Sequence, residues 1–377
     1  MIRFRRLALL ALPALALAAG PVRALPPGST PREIELGEEA ARDIAKAVRL
    51  IDDEEELARL QAMLDEIAVA TDRPDIEYKP HIVASPMVNA FVIPGGWVYV
   101  TTGLLENAES EDEVAGVLAH EIAHNVNQHA IRAMRAAPKG LGLLQLASIA
   151  ALILGKSPEA AILAGTAANT ITAAVLNGNT IEMEKEADHD GIGYLSGTHY
   201  NPTGFLTFME RLAASSGKFI EEELGIYRTH PLSRDRVHAA RDRMDELGMP
   251  ILRRLVTEAP EPEARSAERD GRKVTDIVYR EERLLTLAGQ DPDRAARAVE
   301  AIAFALDHEL DAGRIKVIPV PHGVEIRPGD GPSLFLGKED GEASGDGEAV
   351  AAGRLRERIA ALVVADQNRI RANNQLY

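Results

Sequence analysis

Ser110-Glu-Asp-Glu-Val-Ala-Gly-Val-Leu-Ala-His120-Glu121-Ile-Ala-His124 is the stretch that decides how the chain is read. Ser110 with Glu113 three residues later is a helix-start signature, and Val114, Val117, Leu118 and Ile122 continue at helical spacing. At about 100° per residue, His120 and His124 stand one turn apart on one face, so both ring nitrogens reach a single cation. Glu121 is too close to its neighbours to be a comfortable third ligand, but it is well placed to take a proton from a metal-activated water. This H-E-x-x-H pattern implies zinc-assisted hydrolysis.

A catalytic zinc needs three protein ligands and one open position, so the fold must bring in another donor. Cysteine is absent. His129 lies nine residues beyond His120 and, on a continuing helix, points about 180° away. Ala130 stands where the metzincin spacing requires a histidine. The better source is the helical stretch from Ile181 to Leu195, where Ile181, Glu184, Ala187, Asp188, Gly191, Ile192 and Leu195 share one face. That face is apolar except for Glu184 and Asp188, while Glu182, Glu186 and Asp190 form the solvated side. Two carboxylates on a buried stripe cost several kcal/mol each unless a cation or donor compensates them. Glu184 is therefore the expected third ligand, and Asp188 the expected acceptor from a liganding imidazole N–H. Glu113, almost two turns before His120 on a similar face, is a second candidate for that supporting role besides its cap.

Upstream, residues 32–70 read as two amphipathic helices and residues 76–101 as strands, with a hairpin turning at Pro94-Gly95-Gly96. The hairpin edge is placed to pair with an extended substrate backbone, at Asn89, Ala90 and Phe91. Residues 141–176 are apolar but broken by Gly155 to Glu159, which reads as a buried helical hairpin, with contact to a membrane as the alternative. The Glu-, Arg- and Pro-rich stretch 257–275 reads as a linker, followed by a C-terminal α/β unit over 276–377. Helices are expected at 291–312 and from 350 to about 371, strands at 315–320 and 324–326, and a Gly- and acid-rich loop at 337–347.

The chain has 377 residues, 46% of them hydrophobic, enough for two cored domains. A formal charge of −16 with no basic stripe argues against nucleic acid as a partner. Arg3, Arg5 and Arg6, an apolar run from Leu7 to Ala19 and Pro21-Val-Arg-Ala24 have the three-part layout of a cleaved secretory signal, residues 1–24. An uncleaved N-terminal anchor is the alternative. With no cysteine there is neither a disulfide framework nor a lipid-acceptor thiol, which fits a soluble or peripherally attached periplasmic protein.

Asn89-Ala-Phe-Val-Ile-Pro-Gly-Gly96, Gly103-Leu-Leu, Glu113 to His124, Glu184-Lys-Glu-Ala-Asp188 and Thr229-His230-Pro231 with Arg236 occur in the order found in the family 48 zinc metallopeptidases. That family includes the CAAX prenyl protease, the HtpX heat-shock protease and BepA-type periplasmic proteases, and the resemblance covers roughly residues 32–245. It implies His120, His124 and Glu184 as ligands of one Zn2+, and Glu121 as general base and acid. It also implies that His230 sits near the metal and can occupy its open position and that Arg236 faces the site, and both are grouped with Glu121 as candidate catalytic residues. Unlike the membrane-embedded branches, this chain has only its N-terminal segment and the broken apolar stretch, and the tetratricopeptide tail of some periplasmic members is missing.

The expected fold class is α+β and mainly helical: a gluzincin metallopeptidase domain over 25–256 with a small β-hairpin or sheet beside the active-site helix, then the C-terminal unit. The expected function is an exported zinc endopeptidase acting on envelope proteins, with peripheral contact to a membrane or to envelope assembly machinery. The competing reading is a chaperone-like or assembly factor whose zinc site is structural or self-inhibited.

Overall fold

The structure, a computed structural model, describes residues 25–136, 180–215, 230, 234–257 and 259–372. The expected signal segment 1–24, the apolar stretch 141–176, and Thr229 and Pro231 lie outside the described residues.

Helix α1 (Pro31–Ala47) starts at a full capping box, Thr30 with Glu33, and has proline in its first turn, where no N–H is needed. A short strand β1 (Leu50–Ile51) leads to α2 (Glu54–Val69), capped by Asp53. Strands β2 (Lys79–Val83), β3 (Ala90–Ile93) and β4 (Trp97–Thr101) complete a sheet of order β1-β2-β4-β3, in which only β2 and β4 run parallel. The β3–β4 hairpin pairs Ile93 with Trp97 across Pro94-Gly95-Gly96. Both glycines have positive φ, and a Cβ on Gly96 would meet the Glu77 carbonyl oxygen at 2.2 Å, so only glycine fits there.

The sheet separates two apolar layers. Ala40, Ala41 and Ile44 of α1 cover Val83, Phe91, Ile93 and Tyr99 on one face. On the other face α2 and the helix α4 (Glu111–Val126), which follows the short α3 (Thr102–Asn107), form the main core with Val98 and Val100. Fourteen consecutive residues of α4, Glu113 to Val126, are buried, so this helix is enclosed on all sides. Helix α6 (Ile181–Leu195) and helix α7 (Thr203–Ser215) pack on it, α5 being His129–Ala136. The contact is backbone-close: a Cβ on Gly191 would meet His120 N at 3.1 Å, and one on Gly116 would meet Phe205 Cα at 2.7 Å. Helix α8 (Arg234–Glu246) closes the domain over α6 and α7 through Val237, Ala240 and Met244.

Arg73, 1% exposed, is a buried fastener that the sequence did not announce. Its guanidinium pairs with both Glu33 oxygens at 2.9 Å and donates to the carbonyls of Gly28 and Pro26. It thereby ties the segment before α1 to the end of α2.

The expected linker 257–275 is corrected by the structure. After a 3-10 turn at Arg253–Val256, β5 (Glu263–Arg269), β6 (Arg272–Tyr279) and β7 (Glu282–Ala288) form an antiparallel meander. Glu263, Arg265, Glu268 and Arg269 are all exposed, because β5 is an edge strand; charge there discourages pairing with another chain and hides the strand from apolar periodicity. The unit continues through α9 (Pro292–Asp307), β8 (Ile315–Val320), β9 (Gly323–Pro328), β10 (Leu334–Gly337), α10 (Lys338–Ala343) and α11 (Glu348–Ala372). The loop expected at 337–347 thus contains α10, and β10 was not foreseen. These elements share their own core, including Ile277, Leu287, Ile302 and Leu355.

Buried ion pairs join the two units. Arg254 donates to Asp307 at 2.8 Å, to the Tyr279 hydroxyl and to the Pro260 carbonyl, and Arg253 bridges Glu210 and Glu309. Ser110 at the start of α4 donates to the Val256 carbonyl at 2.8 Å, so the junction touches the helix that carries His120. Among the described residues, no helix is long and apolar enough to cross a membrane.

Candidate active site

Four donors converge where α4, α6 and residue 230 meet. One ligand atom each from His120, His124, Glu184 and His230 lies within 4.8 Å of all the others, and all four residues are buried. The Nε2 atoms of His120 and His124 are 3.0 Å apart; Glu184 Oε2 is 3.5 Å from the first, and Glu184 Oε1 is 3.4 Å from the second. His230 Nδ1 completes the group, 3.2 Å from His120 Nε2 and 3.1 Å from Glu184 Oε1. Imidazole lone pairs and a carboxylate aimed at a common point repel unless a cation lies between them. The donor set, nitrogen and oxygen without sulfur, suits zinc.

The electrostatics agree with that fit. Burial opposes charge on His120, but the Asp188 and Glu184 carboxylates outweigh it and hold its pKa up at about 9. Burial also opposes the charge on Glu184, yet His230 and His120 keep its carboxyl well below the usual range. His124 goes the other way: burial, with His120 beside it, holds it neutral, the state in which imidazole binds a metal. The carboxylates thus favour positive charge at His120, while His124 is held neutral.

Glu121, next to His120, has its two oxygens differently engaged. Oε2 accepts from the Val92 N–H of β3 at 3.2 Å, and Oε1 faces His230 Nε2 at 3.3 Å. Burial raises its pKa, partly offset by His230 and His120. Asp188 sits behind His120, its Oδ1 2.9 Å from His120 Nδ1. Arg236 from α8 grips it with Nε to Oδ2 and Nη2 to Oδ1, both 2.7 Å, and reaches Glu184 Oε2 through Nη1 at 2.9 Å. Arg236 therefore holds the carboxylates rather than lining open space, and is a positioning residue. Burial works against the Asp188 charge, but Arg236 outweighs it and holds the pKa below its usual value.

One expected role needs correction. Glu113 touches no imidazole: its carboxylate accepts from the Glu109 N–H at 2.8 Å, from the Thr207 hydroxyl at 3.0 Å and from Arg211. Only half of the expected capping box forms, Ser110 Oγ accepting from Glu113 N, because the buried Glu113 side chain is turned toward α7 and locks it against α4. Asn89, Ala90 and Phe91, the expected substrate-pairing stretch, have buried side chains, with Ala90 in the main core and Phe91 stacked on Tyr99 at 4.7 Å under α1, so a backbone role is the one open to them. What β3 offers the site is its backbone edge, as Val92 N–H already shows.

His129 departs from the expected outward position because the helix does not continue to it. The helix ends at Val126, Gln128 takes φ = 52°, and the reversal brings His129 Nδ1 to 2.6 Å from His124 Nδ1. Its other nitrogen meets Glu186 Oε2 at 3.1 Å. Asn127, the C-cap just after Val126, is the local signal that ends the helix, although the left-handed residue is the next one, Gln128.

Comparison with known proteins agrees with this geometry. A 184-residue segment is 29% identical to the mitochondrial metalloendopeptidase OMA1 of Schizosaccharomyces pombe, covering 49% of this chain and 52% of that one. The β-barrel assembly-enhancing protease of Escherichia coli is 26% identical over 219 residues, 57% of this chain and 44% of its own. A putative β-barrel assembly-enhancing protease of Vibrio cholerae is 34% identical over 160 residues, 41% of this chain and 32% of its own. The chain spans about half the length, or less, of these curated relatives. The model of Peptidase family M48 matches residues 54–244, just over half of the chain and the whole stretch from α2 to α8 that builds the site. The chain belongs to Peptidase family M48, a family of zinc metallopeptidases.

Proposed function

We propose that this protein is an exported endopeptidase that uses one zinc ion, held by His120, His124 and Glu184, to hydrolyse peptide bonds in envelope proteins. The observation that carries the reading is the set of four buried donors within 4.8 Å of one another with Glu121 beside them. When bound, zinc supplies Lewis-acid chemistry, polarising the scissile carbonyl and acidifying water. Glu121 does the proton work. Its Oε2 is fixed by Val92 N–H, which leaves Oε1 to take the proton from the attacking water and pass it to the leaving amine. Burial keeps that carboxylate basic enough to accept it. The position of β3 at the edge of its sheet, beside Glu121, supports an extended substrate backbone alongside the site.

His230 covers both working groups, with Nδ1 against Glu184 and His120 and Nε2 against Glu121 Oε1. The resting site is therefore self-inhibited and opens when His230 swings away. The compartment is read from the N-terminal signal layout and from the bacterial relatives whose names denote β-barrel assembly, which makes quality control of assembling envelope proteins the role that fits. Peripheral contact with envelope assembly machinery belongs to the same reading.

Glu121→Gln tests the chemistry. The variant is expected to bind zinc with wild-type stoichiometry and to lose cleavage of an unfolded protein such as casein by roughly 10²–10⁴-fold. Retained cleavage would exclude Glu121 as the base and, with it, this mechanism.

A further inference from the structure

We infer that His129 and Glu186 form a relay that fixes the proton on His124 Nδ1 and so turns the His124 Nε2 lone pair toward the four-donor site. The inference rests on the metallopeptidase reading above, and concerns residues that the motif itself does not contain.

His124 Nε2 is the nitrogen facing His120 and Glu184, so Nδ1 is the outward one. Nδ1 lies 2.6 Å from His129 Nδ1, within hydrogen-bond distance, so one of the two nitrogens donates to the other. Which one donates is decided by the other nitrogen of each ring. His129 Nε2 is 3.1 Å from Glu186 Oε2, and a carboxylate can only accept, so Nε2 carries a hydrogen and donates it. With His124 Nε2 facing the four-donor site as a ligand, its hydrogen belongs on Nδ1, His129 Nδ1 is placed to accept it, and His129 Nε2 is placed to donate to Glu186. Arg132 Nη1, 2.8 Å from the same Glu186 oxygen, holds that carboxylate in place. His129 is 1% exposed, so water does not compete for either nitrogen.

The arrangement parallels the other ligand with one member added. Asp188 lies directly behind His120 Nδ1, whereas Glu186 acts on His124 through an intervening imidazole. A carboxylate or carbonyl behind a metal-binding histidine commonly sets its tautomer and ring orientation, and losing it costs about 10–100-fold in metal affinity. His129 and Glu186 are positioning residues on this account.

The test measures zinc affinity by chelator competition, and the d–d spectrum of the cobalt(II)-substituted protein, in the full chain. His129→Ala is expected to weaken zinc binding about 10–100-fold and to alter the cobalt spectrum. His129→Asn, whose Oδ1 can accept the same His124 hydrogen, is expected to recover most of the affinity. Glu186→Ala, a change at a half-exposed position, is expected to lose several-fold. Unfolding in excess chelator checks that the variants fold. Wild-type affinity and spectrum in both His129→Ala and Glu186→Ala would overturn the relay, as would an Asn variant no better than Ala. A wild-type protein that takes up neither zinc nor cobalt would instead overturn the metallopeptidase reading itself, and the two failures are thus distinct.

Discussion

Replacing Arg236 with methionine probes the charge balance of the site without touching a ligand. The guanidinium makes three contacts of 2.7, 2.7 and 2.9 Å to Asp188 and Glu184, which are 1% and 0% exposed. Methionine fills much of the space but leaves both carboxylates inside without their main donor. Removing one partner of a buried ion pair costs about 3–5 kcal/mol. His120 stays beside both carboxylates, which places the expected loss toward the lower end, about 3 kcal/mol. For a domain of this size that is a fall in Tm of roughly 6–12 °C. The loss also depends on pH, with a definite sign. In the wild type, the Asp188 pKa is held below its unfolded value by Arg236, so its contribution is complete above about pH 4 and fades as pH falls through the folded value. In the variant, burial acts unopposed by Arg236 and pushes that pKa up, so the deficit is largest at neutral pH and shrinks on acidification. Urea unfolding in the presence of a chelator, compared between pH 8 and pH 4.5, reads this without interference from bound metal. A loss below about 1 kcal/mol, or an equal loss at both pH values, would refute the view that Arg236 offsets two ionised, buried carboxylates.

Three further outcomes follow from the same geometry. His230→Ala should raise casein cleavage, by about tenfold if the covered state is populated about 90% of the time; a fall in rate would show that His230 assists the chemistry instead. Gly191→Ala places a Cβ 3.1–3.2 Å from the backbone of His120 and Ala119, so α6 must shift on α4 by a few tenths of an ångström. A stability loss of about 1–3 kcal/mol is expected together with weaker zinc binding, and chelator titration of the variant checks whether the two travel together. Arg73 and the Thr30 N–H and hydroxyl outweigh burial at Glu33 and pull its pKa down to about 2, so its stabilisation is complete above about pH 4.5 and is lost as pH falls toward 2. Glu33→Gln should therefore flatten the acid limb of the stability curve between those values, measured by urea midpoints; an unchanged limb would count against the pairing.

The metal helix was legible because its signals are local. The Ser110 cap, the apolar period and the i, i+4 histidines need only a helix to be interpreted, and the carboxylate pair on α6 was visible because Glu184 and Asp188 interrupt an otherwise apolar stripe. What escaped depended on partners far away in the chain or on backbone conformation without a marker. Glu113 looked like a cap partner until Arg211, 98 residues on, claimed it. His129 looked misdirected because a helix continued through Asn127, a stop residue, points it away, while the left-handed turn itself falls on an unmarked glutamine, Gln128. Strand β5 looked like linker because an edge strand can be charged on both faces and still be held by its neighbour's backbone. His230 and Arg236 had no local signature at all; only the family resemblance singled them out.

The convergence of His120 and His230 from positions 110 residues apart bears on how the protein survives, as well as on how it would cut. The chain has no cysteine and so no disulfide to restrain its unfolded state. An ion gripped by the folded site has only a lone histidine pair to hold once the chain opens, so binding favours the native form, by about 2.7 kcal/mol at a free concentration one hundred times the dissociation constant. The site is in this sense a reversible cross-link between distant parts of the sequence. Turnover of the protein should then follow the metal content of its surroundings: copies made under zinc starvation open more often and fall first to other proteases.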